Sequence, residues 1–425
     1  MKKTYSLLFL FFFTLSLYPQ NAILDVPKKS ILHEVPLPRV DTYIAKSIEN
    51  EILPGGVFIV AEKGKIIYFK NFGTKENGKS FEKTDIFRIA SMTKAITVTA
   101  IMQLIEQKKI KLSDPVYEYI PSFKNTQVLK EFNIVDSTYS TFPLEHDITI
   151  KNLLTHTSGI YYGDFETDEL NAIYKKNNML GLGLSSEILS TEEMVDRIAK
   201  MPLAFQPGSA WKYGLNMEVL GRIVEVVSGQ NLAIYFNKNI FEPLEMNDTY
   251  FYLPQEKQYR LVNMNYPDSL DQLNYGSTMK YPKLPDHDHY AGGGGLSSTT
   301  LDYAKFCMAL SNSGELNGKR ILKTETVKQL YTEQFPELNS DKKGFSDVKG
   351  IGFGLGFAII LEERPLLWPF SEDTYFWSGY FNTKYWIDPQ KDLIFVGMTQ
   401  IYSFKHKKFW SKLYKELFKD LNKLK

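Results

Sequence analysis

The sequence predicts an α+β fold in which both ends of the chain contribute strands to one antiparallel β-sheet flanked by helices. Short runs rich in β-branched and aromatic residues lie near both ends, and helix-like apolar spacing dominates the middle. Strands are expected at 56–61, 65–70, 354–360, 374–377, 383–387 and 393–398. Because Glu62, Lys63 and Gly64 supply a turn, we expect the first two strands to form a hairpin.

The middle of the chain is predicted to form a mainly helical second lobe, roughly residues 88–310, inserted between the sheet-forming ends. Helix-like spacing occurs at 92–109, 191–200, 216–228, 231–240 and 300–311. The final Lys-rich amphipathic stretch, 404–421, is predicted to be a helix that covers the sheet. Segments 164–190 and 255–290 have no regular spacing, which is typical of excursions that shape a substrate site. We therefore expect a cleft between the two lobes.

The composition indicates a large globular chain with balanced charge. The 425 residues are 43% hydrophobic, and 50 Lys and Arg residues stand against 49 Asp and Glu residues. This balance gives no electrostatic case for a nucleic-acid partner. Cys307 is the only cysteine, so an intramolecular disulfide is impossible, and its apolar helical surroundings predict a buried structural thiol.

The N-terminus has the pattern of a secretory signal. Lys2 and Lys3 precede an apolar run at about 7–17, which is shorter than the roughly 20 residues of a membrane span. We expect residues 1–21 to be a signal peptide and 22–425 to form one domain. The protein would then be periplasmic or secreted, without stable membrane insertion after signal removal. An uncleaved anchor stays open as the alternative.

The most informative segment is Ser91-Met92-Thr93-Lys94, which leads into an apolar helical run. If Ser91 opens this helix, the serine hydroxyl and the lysine amine lie one turn apart on the same face. The helix field and partial burial both disfavour the ammonium, so Lys94 is predicted to be neutral enough to take a proton from Ser91. This pattern is typical of a serine nucleophile activated by lysine. Its plain alternative is an N-cap serine with a solvated lysine.

Four further segments strengthen the functional interpretation of this motif. They are 148–159, which contains Leu-Thr-His-Thr-Ser-Gly; 207–222, which contains Tyr-Gly-Leu-Asn; 292–299, which begins with four glycines; and 377–379, which is Trp-Ser-Gly. With Ser-x-x-Lys these segments make the chain resemble the serine β-lactamase-like superfamily over roughly residues 40–400. The closest branch is that of class C β-lactamases, family VIII carboxylesterases and D-amino-acid peptidases. The resemblance implies a β-lactamase/transpeptidase-like fold.

The resemblance also implies catalytic roles. Ser91 would be the acylated nucleophile, and Lys94 and Tyr213 would move the protons. The phenol has an ordinary pKa near 10, so we expect Tyr213 and Lys94 to titrate together. The oxyanion hole would consist of the backbone N–H groups of Ser91 and Tyr380. Such donors usually supply a large part of acyl-transfer catalysis.

Two departures from the family pattern concern the substrate. The family has a Tyr-x-Asn motif, which begins here at Tyr213. Leu215 stands at the Asn position of this motif, and Asn216 follows one residue later. In the family, the motif that corresponds to 377–379 begins with Lys or His. Trp377 stands at that position here, so a cation for a substrate carboxylate is missing. Asn216, Trp377, Ser378 and Gly379 are predicted to be substrate-binding residues, and the aromatic Trp377 favours a neutral ester or acyl group.

Other candidates have structural explanations. His156 is a possible general base, but the resemblance gives its loop a supporting role. His287 and His289 lack further metal ligands at recognisable spacing, so a solvated loop is predicted there. Residues 292–295 are not followed by Lys-Ser or Lys-Thr, so they indicate close backbone approach and not a phosphate loop. No metal or organic cofactor is implied.

Together these features predict an exported serine hydrolase that forms an acyl-enzyme on Ser91. The leading substrate is a small-molecule carboxylic ester or small amide. A D-amino-acid peptide and a β-lactam are the alternatives within enzymes. Outside enzymes, the alternative is a sensor that binds a β-lactam or peptidoglycan fragment and stays acylated. The oligomeric state is left open.

Overall fold

The computed structural model describes residues 32–75, 78–162, 168–179, 189–264, 282–283, 288–336, 350–362, 369–401 and 407–424. The predicted signal peptide, 1–21, lies outside the described residues, as do large parts of the irregular segments 164–190 and 255–290. Within the described ranges, no helix has both the length and the apolar character that crossing a bilayer requires.

The strands occur in two groups, one near each end of the chain, with short pairs between them. They are β1 Gly55–Glu62, β2 Lys65–Gly73, β3 Ile86–Arg88, β4 Gln127–Asn133, β5 Thr138–Pro143, β6 Ser297–Thr299, β7 Glu315–Leu316, β8 Lys319–Arg320, β9 Ile351–Phe353, β10 Ala358–Ile360, β11 Tyr375–Gly379, β12 Thr383–Asp388 and β13 Leu393–Met398. Seven of them form one antiparallel sheet in the order β2-β1-β13-β12-β11-β10-β9. The predicted sheet built from both chain ends is therefore confirmed.

The turns explain the register of the sheet. Lys63 and Gly64 join β1 to β2, and both have positive φ, at 51° and 70°, which suits a two-residue hairpin turn. The single strand predicted at 354–360 is wrong. The chain turns there between β9 and β10, because Gly356 has a φ of 80° and a side chain at this glycine would collide with Val98.

The helices fill the middle of the chain and both faces of the sheet. They are α1 Pro38–Glu49, α2 Thr93–Glu106, α3 Ile150–Leu154, α4 Asp168–Lys176, α5 Thr191–Ala199, α6 Asn216–Ser228, α7 Leu232–Phe236, α8 Thr300–Ser311, α9 Thr324–Leu330 and α10 Lys407–Leu424. Capping boxes start α3 at Thr149 and α5 at Ser190. The segment predicted as a helix at 231–240 is α7 followed by a π-helical turn, Asn237–Phe241.

The two sheet faces are buried by different helices. One face packs against α1 and α10 through an aromatic cluster centred on Trp386 and Trp410, which confirms that the C-terminal helix covers the sheet. Helix α8 packs against β1, β12 and β13. Helix α2 is buried on every side from Thr93 to Leu104, because it lies inside the main core. The lobe boundaries at 88 and 310 stay a prediction.

Candidate active site

Ser91 lies in a 3₁₀ turn, Ala90–Met92, that leads into α2. The α-helix itself begins at Thr93, two residues later than the motif suggested. Ala90 has a φ of 43°, an unfavourable backbone conformation for a residue with a side chain. The turn is held in place because Met92 donates its N–H to Ile89 at 3.0 Å and receives the Tyr303 hydroxyl on its carbonyl at 2.8 Å. Ser91, the predicted nucleophile, thus lies on a strained and well-supported turn.

Lys94 is buried directly beneath Ser91. Its Nζ donates to Ser91 Oγ at 3.3 Å, to the Tyr162 hydroxyl at 3.2 Å and to the Gly293 carbonyl at 2.5 Å. Lys94 is only 1% exposed, so these contacts replace its hydration shell. An ammonium has three N–H donors, and the three acceptors match that number.

The pKa shift of Lys94 has the opposite direction to the one predicted from the sequence. Burial lowers the pKa of Lys94, but the neighbouring Tyr162, Tyr213 and Glu218 side chains outweigh burial and raise the pKa above its ordinary value. This direction does not support the prediction that the amine is neutral enough to take a proton from Ser91. The spacing of Ser91 and Lys94 contains no information about the acidic groups that other segments place around the amine.

Tyr213 is the third predicted catalytic residue. Its ring centroid lies 5.0 Å from Lys94 Nζ, and its hydroxyl is buried. Gly214 follows it, and a side chain there would collide with the Ile160 carbonyl, so this loop must pass close to the one that follows α3. The structure therefore brings Ser91, Lys94 and Tyr213 together as predicted.

The Trp-Ser-Gly segment, 377–379, lies at the end of β11, against the turn that contains Ser91. Gly379 has no space for a side chain, because a Cβ there would overlap the Ile89 carbonyl and Thr383 Oγ1. This close approach places Tyr380 against Ala90, beside Ser91. The Ser91 N–H belongs to the first turn of a helix, where N–H groups lack intrahelical partners. The predicted oxyanion donors, Ser91 and Tyr380, are thus neighbours in space.

Aromatic rings form a wall around Tyr213. The ring centroids of Tyr162, Trp377 and Trp211 lie 5.4, 5.5 and 6.3 Å from that of Tyr213. Phe353 closes the group at 5.6 Å from Trp377. Trp377, predicted to contact substrate, therefore places an apolar ring beside Tyr213, at the position where the family motif carries a cation.

Asn216 does not take the place of the missing motif Asn. It is fully buried, accepts the Ser158 hydroxyl at 2.5 Å and lies 2.8 Å, through Nδ2, from His156 Nδ1. It makes no hydrogen bond to Lys94 in the described part of the chain. The substrate-binding role predicted for Asn216 is therefore wrong, because its amide is committed to protein groups.

His156 supports the site from below. Its ring centroid is 4.9 Å from that of Tyr213, and the side chain is buried. Burial, followed by the Lys94 charge, lowers the pKa of His156 well below its ordinary value, so the imidazole is neutral at pH 7. A neutral ring bonded to Asn216 has a packing role, in line with the supporting role expected for its loop.

The remaining candidates have structural roles. His289 is buried against Met194, so the prediction of a solvated loop is wrong for this residue, while Asp288 is exposed and His287 lies outside the described residues. Among the described residues no three His, Cys, Asp or Glu side chains cluster as metal ligands. Cys307 is a buried free thiol whose pKa is raised by burial.

The sequence motifs did not identify two residues of the site. Tyr162 holds Lys94 Nζ through its phenol, and burial raises the pKa of that phenol. Glu218, on α6, is buried beside residues 292–295, the glycine loop. The available signals were the position of Tyr162 just after the Leu-Thr-His-Thr-Ser-Gly segment, and a carboxylate on the otherwise apolar face of α6.

We expect Tyr162→Phe to lower kcat/KM by about tenfold, because Lys94 loses one of its three acceptors and is held less firmly at Ser91. Steady-state kinetics on an ester substrate measures this effect. Tyr161→Phe is the matched control, since the Tyr161 hydroxyl is buried and has no hydrogen-bond partner among the described residues. Equal activity of the two variants would show that the Tyr162 hydroxyl does not contribute to the reaction.

The fold and the site define a hydrolase built on the β-lactamase fold. The chain belongs to the Beta-lactamase family, which matches residues 40–409. The resemblance to the serine β-lactamase-like superfamily is therefore confirmed.

Known relatives span most of this chain. It is 30% identical to the Mycobacterium tuberculosis protein Rv1367c over 359 residues, which covers 82% of this chain and 86% of the relative. It is 26% identical to esterase EstB of Burkholderia gladioli over 368 residues, with the same coverage of 82% and 86%. The fold is similar to that of simvastatin synthase LovD of Aspergillus terreus (LovD6 mutant), with a TM-score of 0.75, 24% identity, and coverage of 91% and 96%.

Proposed function

We propose that this protein hydrolyses small carboxylic esters through an acyl-enzyme on Ser91. The observation that carries the proposal is the position of Lys94 Nζ, which bonds Ser91 Oγ and lies over the face of Tyr213. A serine, an amine and a phenol in this arrangement can pass one proton among them while the serine oxygen attacks.

The reaction proceeds in two balanced halves. The pair first releases one proton to solvent. Ser91 Oγ then attacks the ester carbonyl, and its proton passes to the Lys94–Tyr213 pair. The backbone N–H groups of Ser91 and Tyr380 stabilise the oxyanion. The tetrahedral species collapses, and the pair returns the proton to the departing alcohol. Water then attacks the acyl-serine, giving its proton to the same pair, and the acid leaves as Ser91 recovers its hydrogen.

The wall around Tyr213 supports a neutral, apolar substrate. Trp377 is partly exposed and packs against Tyr213 and the buried Phe353, and its indole occupies the position of the motif cation. A substrate carboxylate would lose its solvation there without gaining a charge partner from the motif. The relative named esterase EstB agrees with this substrate class. A D-amino-acid peptide and a β-lactam are the alternative substrates.

We also propose that the protein is exported, to the periplasm or the medium. The support is the basic start and short apolar run of residues 1–21. The non-enzyme alternative, a sensor that remains acylated by a β-lactam or peptidoglycan fragment, uses the same nucleophile and differs only in deacylation.

Time-resolved hydrolysis of p-nitrophenyl butyrate and of a chromogenic β-lactam, followed by intact-mass spectrometry, separates these functions. We expect sustained turnover of the ester and slow or no turnover of the β-lactam. A stoichiometric burst with a persistent β-lactam adduct and no ester turnover would replace the proposal by the sensor. Turnover of D-alanyl peptides alone would replace it by the peptidase.

A further inference from the structure

Glu218 is a buried carboxylate next to the site that the proposed reaction does not use. It lies on α6 with 1% of its surface exposed. Its Oε1 accepts the Gly293 N–H at 3.0 Å. Its Oε2 is buried and has no hydrogen-bond partner within the described residues. An acid buried this completely costs free energy unless its charge is offset nearby.

The nearby charge is Lys94, and one residue of the glycine loop connects the two. Gly293 donates its N–H to Glu218 Oε1, and its carbonyl accepts from Lys94 Nζ at 2.5 Å. A side chain at Gly293 would press against Glu218 Oε1 and lie 3.3 Å from Lys94 Nζ, so both groups approach the same backbone atoms.

The glycine loop around Gly293 is held firmly. Thr97 Oγ1 donates to the Gly292 carbonyl at 2.6 Å, and a side chain at Gly292 would collide with the Met217 carbonyl. The backbone of Gly293 therefore has a fixed direction. In this direction the Gly293 N–H faces Glu218 Oε1, and the carbonyl of the same residue faces Lys94 Nζ.

The electrostatic partners of Glu218 come from two other elements. Lys94 faces it from α2, and Tyr162 faces it from the loop after α3. Tyr213, which precedes α6, adds its field at Lys94. Arg222, one turn further along α6, pairs instead with Glu192 and Glu225. Lys94 is thus the cation that offsets Glu218 among the described residues.

We propose that Glu218 is a positioning residue that keeps Lys94 charged and aimed at Ser91, acting through the backbone of Gly293. This inference rests on the proposed function of Ser91, but it concerns the regulation of the nucleophile by pH and not the choice of substrate. A charged Glu218 favours the protonated Lys94–Tyr213 pair. The pair accepts the Ser91 proton only after it has lost a proton of its own. Glu218 therefore raises the pH at which Ser91 becomes reactive.

The test is the Glu218→Gln variant, which keeps an oxygen for the Gly293 N–H and removes the charge. The readout is the rate at which a fluorophosphonate labels Ser91, followed by intact mass from about pH 5 to pH 10, a range that extends to either side of the Glu218 titration. In this reaction Ser91 Oγ bonds to phosphorus, fluoride leaves, and the pair takes the serine proton. The readout requires no knowledge of the natural substrate.

The expected result is a ratio of variant rate to wild-type rate that is flat at low pH and rises above about pH 7. Burial raises the pKa of Glu218 to about 7, so below that pH both proteins carry a neutral side chain and the ratio is flat. Above it the wild-type carboxylate is charged, and the ratio rises by about tenfold, the effect of a one-unit shift in the pair. The ratio then stays high to the end of the range, because the neighbouring Tyr162, Tyr213 and Glu218 side chains outweigh burial and keep the pKa of Lys94 above its ordinary value.

Glu225→Gln is the matched control, because Glu225 is a second buried carboxylate on α6 that bonds Leu232 and Arg222 away from the site. Its ratio is expected to be independent of pH. A flat ratio for a folded Glu218→Gln variant would overturn the inference and leave Glu218 with a packing role. If the ratio of labelling rates rises with pH as expected but no ester is turned over, the proposed substrate would be refuted and the inference would stand.

Discussion

Ser91→Ala is expected to lower ester turnover by at least about 10⁴-fold while changing the free energy of unfolding by less than about 1 kcal/mol. The alanine removes the only atom that forms a bond to the substrate acyl group in the proposed reaction. The side chain is half-buried, and Lys94 keeps its bonds to Tyr162 and Gly293, so the fold loses little. Steady-state hydrolysis and thermal unfolding measure the two quantities.

Ser209→Ala is the control for this variant. Ser209 lies in the loop that leads to Tyr213, is exposed, and uses its hydroxyl in a local turn to the Gln206 carbonyl at 2.7 Å. We expect it to keep wild-type activity. If Ser91→Ala retained more than a few per cent of wild-type turnover, with no adduct in intact-mass spectra of either protein, the serine mechanism would be refuted.

Gly379→Ala is expected to reduce kcat by about 10²- to 10³-fold, the usual effect of losing one oxyanion donor. The new methyl group would occupy the space of the Ile89 carbonyl and Thr383 Oγ1. Either the end of β11 or the turn that carries Ser91 must then move, and the N–H groups of Ser91 and Tyr380 separate in both cases. KM is expected to change less, because the aromatic wall remains.

Gly64→Ala separates this steric effect from the general loss of a glycine. Gly64 has a φ of 70°, and a methyl group on its Cα would have no other atom within 4 Å, so the substitution strains the β1–β2 turn without a collision. It is expected to cost about 1 kcal/mol of stability and leave kcat unchanged. An unchanged kcat per folded molecule of Gly379→Ala would show that β11 does not set the oxyanion geometry.

Several features were predictable because they depend on neighbours in the chain. Short apolar runs rich in β-branched and aromatic residues predicted correct positions for β1, β2, β12 and β13, since strands buried on both faces are formed by nearly continuous apolar segments. The prediction for 354–360 failed because a glycine turn interrupts an otherwise apolar segment, and its need for close contact with Val98 is invisible in sequence. Motif spacing likewise placed Ser91 and Lys94 one turn apart.

The long-range partners were not predictable in the same way. Tyr162, Glu218 and Gly293 come from three distant segments, and Tyr162 and Glu218 contribute to reversing the direction of the pKa shift of Lys94. Asn216 was misplaced for the same reason, because a one-residue offset at the start of α6 turns its amide toward Ser158. Local periodicity and motif order thus establish the strands, the helices and the reacting groups. The charge and aim of those groups depend on which buried side chains the folded chain brings within a few ångströms.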